Sequence, residues 1–337
     1  MNVERHLGLK AGELVRVRTA GEILATLDEN GTFEGVTFMP EMIPFVGRRQ
    51  HVYRRVVKLC WYTPESCSRQ IEDCVFLDDL RCDGAGHDGC QQECRIFWKD
   101  AWLARLDPGE ELPESDPADL ERLAALARTT VLQKDPAEDG SRLYRCQFID
   151  VLSASRPLPE KAVGQYVEEV TSGNQPLFHL LRVMARAFRI HVSIKLSRYK
   201  PLPMALGGAD RIDGEKLDLQ VGEWVEVRSA EEIGRTLDEH GKHRGLHFST
   251  EMLRACGKRY RVRGRVTRLI DEHSGRMLEL KNDCVLLEDM YCPGEYSIGV
   301  WFCPRDFYHY WREAWLKRCD PPPGAVTSPP SRAASAA

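Results

Sequence analysis

The chain has little that would assign it quickly. It offers no apolar run able to cross a bilayer. The longest candidate, LFHLLRVMARAFRIHVSIKL, carries Arg182, Arg186, Arg189 and Lys195. The N-terminal MNVERHLGLKAGE has no apolar stretch and no small-residue cleavage pattern, so a secretory signal is not expected. Positive charge is not in excess. The net charge is −4, and such a chain is not built as a whole to coat nucleic acid. GxxxxGK[ST], GxGxxG after a strand, GxSxG and HExxH are all missing, and with them the common phosphate, dinucleotide, serine-hydrolase and zinc-protease sites.

Cysteine, by contrast, is plentiful. Twelve cysteines in a chain without a secretory signal suggest a reducing, cytoplasmic setting, where clustered thiols bind metal more often than they form disulfides. The 337 residues are enough for two or three domains, each with its own core.

The chain contains one unit twice. AGELVRVRTAGEILATLD (11–28) returns as VGEWVEVRSAEEIGRTLD (221–238), and Gly12, Glu41, Val52 and Cys82 have counterparts 210 residues on, at Gly222, Glu251, Val262 and Cys292. The second copy then gains three residues, and FWKDAWLARLD (97–107) matches YWREAWLKRCD (310–320). Each copy is therefore a folding unit. Leu14–Arg18 alternates as a half-buried strand does. AGEILATLDENG has helical spacing ending on Gly31. His51–Cys60 and Ile71–Leu77 are strand-like. Trp98 and Trp102, like Trp311 and Trp315, stand four apart, which predicts a helix over 91–105 pinned to the barrel by two indoles.

The resulting expectation is an α+β chain: two SH3-like small β-barrels, each with a C-terminal helix, joined by a helical segment. The boundaries are 9–107 for repeat 1, 120–205 for the helical linker domain, 215–320 for repeat 2 and 321–337 for a disordered tail. Within the linker, Leu177, Leu180, Leu181, Met184 and Phe188 form one apolar stripe on a predicted helix. The doubled unit resembles that of uncharacterised bacterial proteins with a duplicated cysteine-rich SH3-like unit. That resemblance implies no activity.

RCDGAGHDGCQQEC (81–94) is the stretch with chemistry. Cys82 follows a strand, glycines turn the loop, and Cys90 and Cys94 lie one helical turn apart in the predicted terminal helix. The start of that helix would favour thiolates. Cys82, Cys90 and Cys94 with His87 make a Cys3His set suited to tetrahedral zinc. The competing reading is reduced cysteines packed as small hydrophobes, which fits Cys74 and Cys284 in their apolar strands. Cys60, Cys67 and Cys146 are spare candidates for the fourth ligand. If Cys146 binds, it ties the central segment to repeat 1. Cys82-Asp83-Gly84-Ala85-Gly86-His87 also resembles the iron–sulfur motif of the CDGSH proteins, with one residue more between Cys and His. The resemblance implies a cluster ligated by that Cys and His, so iron or an iron–sulfur cluster stands as the alternative to zinc.

In repeat 2, Cys292 and Cys303 match Cys82 and Cys90, but Phe307 replaces Cys94. A second metal site could recruit Cys256, Cys284 or Cys319 beside Cys292 and Cys303. Arg259, Arg261, Arg263 and Arg265 alternate along one strand and could track a polyanion. The plainer reading pairs them with the chain's own carboxylates. Glu41 and Glu251 recur and read as caps or as a buried base. Three functions remain open: a cytoplasmic zinc-binding module that assembles with a protein partner, a metal-dependent enzyme with its site at the repeat 1 cysteines, and a nucleic-acid-binding protein. No membrane partner is expected.

Overall fold

The computed structural model describes residues 6–61, 67–107, 109–133, 135–159, 162–196, 214–296 and 301–324. The tail from 325, the end of the linker domain (197–205) and residues 206–213 lie outside them.

Repeat 1 opens with β1 (Leu14–Val17), whose Val15 and Val17 are fully buried. Helix α1 (Ala20–Leu24) begins in a capping box, where the Thr19 side chain accepts from the Glu22 N–H and Glu22 reaches back to Thr19. Strands β2 (Thr32–Phe33) and β3 (Val36–Thr37) form a hairpin, and a 3₁₀ turn follows over Pro40–Phe45. Then come β4 (Arg49–Arg55), β5 (Leu59–Trp61), β6 (Cys67–Gln70), β7 (Cys74–Leu77), β8 (Trp98–Lys99) and β9 (Leu103–Arg105). The main sheet is antiparallel in the order β8-β7-β4-β1-β9.

The central segment supplies α2 (Pro117–Thr129), α3 (Gln147–Ala154), β10 (Arg156–Leu158), α4 (Gly164–Thr171) and α5 (Leu177–Lys195). It is knitted into repeat 1. β10 pairs with β6, and Leu123, Ala127 and Val151 belong to the repeat 1 core. The predicted stripe on α5 divides. Leu180, Val183 and Met184 pack on Tyr166, Trp301 and Phe302, whereas Leu177, Phe178, Leu181 and Phe188 are exposed.

Repeat 2 runs β11 (Trp224–Val227), α6 (Ala230–Gly234), β12 (Lys242–His243), β13 (Leu246–His247), β14 (Arg259–Ile270), β15 (Met277–Leu287) and β16 (Leu316–Arg318). Its sheet order, β15-β14-β11-β16, repeats the β7-β4-β1-β9 part of repeat 1, and in place of β8 a single bridge joins Trp311 to Val285. The duplication reaches single contacts. Trp102 Nε1 donates to Thr26 Oγ1 at 3.1 Å, and Trp315 Nε1 to Thr236 Oγ1 at 2.9 Å. Phe38 meets Trp102 edge-on at 5.3 Å, and Phe248 meets Trp315 at 5.1 Å.

The chain is thus mixed helix and sheet with small antiparallel sheets, and among the described residues none closes into a barrel. The predicted terminal helix is absent from both repeats. Residues 91–105 instead form a bridge of Arg95 to Arg81, then β8, a 3₁₀ turn at Asp100–Trp102, and β9. Glu93 has φ +50°, a left-handed conformation that interrupts any helix there. Strand followed by 3₁₀ turn also brings residues four apart into one core, and Trp98 and Trp102 are both fully buried.

The repeats face each other through exchanged contacts. Tyr53 Oη donates to Asp306 Oδ2 at 2.6 Å, while Arg263, the counterpart of Tyr53, donates to Glu93, the counterpart of Asp306, at 2.8 Å. Within repeat 1 Arg95 stacks on Tyr53 at 3.7 Å, and within repeat 2 the matching positions, Tyr308 and Arg263, stack at 4.9 Å, which holds both cross-repeat donors in place. Matching positions thus meet in reversed roles, so the repeats pack about an approximate two-fold axis.

Candidate metal centre

The 81–94 loop brings its cysteines together by backbone pairing. Cys82 N–H donates to Cys94 O at 2.8 Å, setting these residues side by side. The chain between them turns tightly. His87 N–H and Gly89 N–H both donate to Gly84 O, and Cys90 N–H donates to His87 O at 3.1 Å. Gly84 is obligatory here, since its φ is +70° and a Cβ would lie 2.0 Å from Cys90 O. No helix begins at Cys90, so the expected lowering of its thiol pKa by a helix start does not occur. Burial instead raises the Cys90 thiol, and it holds Cys82 and Cys94 well above the usual range, where neighbouring thiols and, for Cys82, the charge of Glu41 act in the same direction.

Cys82, Cys90 and Cys94 line one cavity of about 30 Å³, and a fourth cysteine joins them. Cys146 stands immediately before α3 and faces the same cavity. Burial pushes its thiol up to about 12. Ile270, Arg305 and Phe307 close the cavity from repeat 2. Ile270 N–H points at Cys90 Sγ at 3.4 Å, and Arg305 stacks between Phe148 and Phe307 at 4.3 and 4.2 Å.

His87 is buried at the cavity wall with both ring nitrogens engaged. Nδ1 lies 2.6 Å from Glu41 Oε1 and Nε2 lies 3.0 Å from Arg145 O. With Glu41 ionised both partners are acceptors, and the ring then donates from both nitrogens as an imidazolium. Burial opposes that charge, but the Glu41 hydrogen bond and charge outweigh it and lift the His87 pKa. Burial likewise opposes ionised Glu41, and the His87 contact prevails to hold its carboxyl below the usual range. In this arrangement His87 is a clamp. It ties the cysteine loop to the 3₁₀ turn carrying Glu41 and to the residue before Cys146. Glu41, Cys82 and His87 also place one ligand atom each within 4.8 Å of one another. Among the described residues no three of the four thiol sulfurs come that close. Glu41 Oε2 is buried without a hydrogen-bond partner among the described residues.

The other candidates scatter. Cys284 packs with Val266 and Leu286, and Cys256 packs against the repeat 2 core, whereas Cys292 and Cys303 line a separate cavity. Of the arginine stripe, Arg259 is 3.7 Å from Glu226, Arg261 donates to Gly222 O at 3.1 Å, Arg263 pairs with Glu93 and Arg265 is 3.0 Å from Glu313. All four therefore contact acceptors of the chain itself. Glu251 Oε1 accepts from the distant Tyr296 N–H at 2.6 Å, as Glu41 Oε1 accepts from Gly86 N–H at 3.1 Å, so each ties its 3₁₀ turn to a loop and does not cap that turn. Cys146 carried only a weak signal in the sequence: a cysteine in the polar stretch YRCQ, far along the chain from the loop it joins.

No family model, curated protein or solved structure matches the chain. Among the described residues no helix is long and apolar enough to cross a membrane.

Proposed function

We propose that the chain is a metal-binding assembly protein, cytoplasmic and built on two SH3-like units, with its centre at Cys82, Cys90, Cys94 and Cys146. The observation that carries this reading is the convergence of four half-buried thiols from two separated segments, the 81–94 loop and the start of α3, on one cavity of about 30 Å³. Zinc is the proposed ion. Four thiols fill a tetrahedral shell and leave no position for a substrate, which favours a structural over a catalytic role. Binding would fasten the central segment to repeat 1 through Cys146 and displace the thiol protons. The SH3-like reading is supported by a sheet in which the last strand pairs with the first after a 3₁₀ turn. The exposed Leu177, Phe178, Leu181 and Phe188 on α5 support a protein partner.

An iron–sulfur cluster is the second reading, favoured by the spacing of the sulfurs. A zinc ion with bonds of about 2.3 Å holds its sulfurs only about 3.8 Å apart, and the thiols here are more widely set. Anaerobic purification followed by metal analysis and visible absorption separates the readings. A colourless protein with zinc supports the first, and a brown one with iron and sulfide the second. A metal-free protein overturns both.

A further inference from the structure

We infer that the chain carries a second metal site, shared between the repeats, in which Cys60 of repeat 1 joins Cys292 and Cys303 of repeat 2, with His309 as a nitrogen ligand.

Cys60 and Cys303 are buried side by side with their sulfurs 3.2 Å apart, and Cys60 N–H also donates to Cys303 Sγ at 3.2 Å. Together with Cys292 they line a cavity of about 430 Å³. His309 lines it too, and its Nε2 is buried without a hydrogen-bond partner among the described residues. A buried ring nitrogen without a partner is costly unless something ligates it. Three thiols and an imidazole are the donor set of a thiophilic ion such as zinc; among the described residues no three of these donor atoms lie within 4.8 Å of one another, so an ion seated on the Cys60–Cys303 pair would draw in Cys292 and His309 from the cavity wall.

The two-fold relation makes this cavity the counterpart of the repeat 1 centre. Cys292 and Cys303 stand where Cys82 and Cys90 do, and Glu251 where Glu41 does. The contact of Cys60 N–H with Cys303 Sγ is repeated by that of Ile270 N–H with Cys90 Sγ, and Ile270 is the counterpart of Cys60. One chain position therefore reaches across to the opposite repeat in both places. Where it is isoleucine, Cys146 supplies the remaining thiol. Where it is cysteine, it compensates for Phe307, which replaces Cys94. Positive charge is also in place. Arg305 lines both cavities and donates to Cys60 O at 2.9 Å, and buried Lys58 lies close enough to Cys303 for their charges to interact. Such cations offset the negative charge of a multi-thiolate centre.

The full chain is stripped with chelator under anaerobic conditions and reloaded with cobalt(II) alone, which reports thiolate ligation by its charge-transfer absorption. Wild type should bind two equivalents. Cys60→Ser, Cys303→Ser and His309→Ala should each lose about half of the cobalt signal, whereas Cys256→Ser and Cys284→Ser should lose none. Circular dichroism on each variant establishes that it is folded, and a misfolded variant is replaced by the corresponding Ala or Asn change. Full cobalt binding by folded Cys60→Ser and Cys303→Ser overturns the site, as does a Cys60–Cys303 disulfide in anaerobically prepared wild type. Cys146→Ser tests the repeat 1 centre separately. Loss there with none in Cys60→Ser leaves the repeat 1 centre standing alone, and the reverse leaves only the shared site.

Discussion

Removing His87 should weaken the fold strongly without abolishing metal binding. Its side chain and that of Glu41 are only 2% and 3% exposed, and the contact between them is 2.6 Å. His87→Ala leaves the Glu41 carboxylate buried without its cation, which costs about 3–5 kcal/mol. For a protein of this size that corresponds to a fall in melting temperature on the order of 10 °C. His87→Gln, which can keep one donor, should lose less. The pH dependence identifies the pair. The His87 pKa is raised above its ordinary 6.5, so its contribution is complete below that value and is lost as pH rises through the folded pKa. The Glu41 pKa is lowered from 4.5, so its contribution is complete above that value and is lost as pH falls through the folded pKa. The stability gap between wild type and His87→Ala should therefore be widest between these limits and shrink on both sides. Urea melts across pH, with metal content measured in parallel, check this. If His87→Gln lost metal as fully as Cys94→Ser while its metal-free stability matched wild type, the histidine would be a ligand and the clamp reasoning would fail.

Three further outcomes are expected. Cys146→Ser should release the repeat 1 metal and raise amide exchange in α3, because the metal would otherwise anchor the start of that helix. Unchanged metal content would return the fourth position to another group. Trp102→Ala and Trp315→Ala should each cost about 3–5 kcal/mol in chemical denaturation, since both indoles are fully buried in matching surroundings. A loss in only one of them would mean that the repeats do not share the core packing described. Combined Arg261→Ala and Arg263→Ala should weaken packing between the repeats, because Arg263 bridges to Glu93 of repeat 1, and wild type should shift neither single- nor double-stranded DNA at low salt. Salt-dependent binding that disappears in the double variant would restore the polyanion reading.

The sequence by itself determined the duplication, because matched spacing survives any rearrangement of the chain in space. It also indicated the helix that begins at Ala20, whose capping box is local, although that helix ends at Leu24 and does not run to Gly31. The loop carrying Cys82, Cys90 and Cys94 was legible for the same reason: its glycines and cysteines lie within fourteen residues. The terminal helix was misread because a spacing of four between tryptophans is shared by a helix and by a strand that runs into a 3₁₀ turn. Only burial and the left-handed residue at Glu93 distinguish them. His87 was legible as a donor, and it stands with Glu41 and Cys82 in one group of ligand atoms within 4.8 Å, but composition does not show what else engages its ring. Glu41 and Arg145 engage both of its nitrogens from distant parts of the chain. Cys146 and Cys60 acquired their places only through tertiary structure. One is carried to the repeat 1 cavity at the start of α3, and the other is carried across the two-fold axis to Cys303. Contacts between residues separated by 243 positions leave no periodic trace in sequence, because the packing of one repeat on the other creates them.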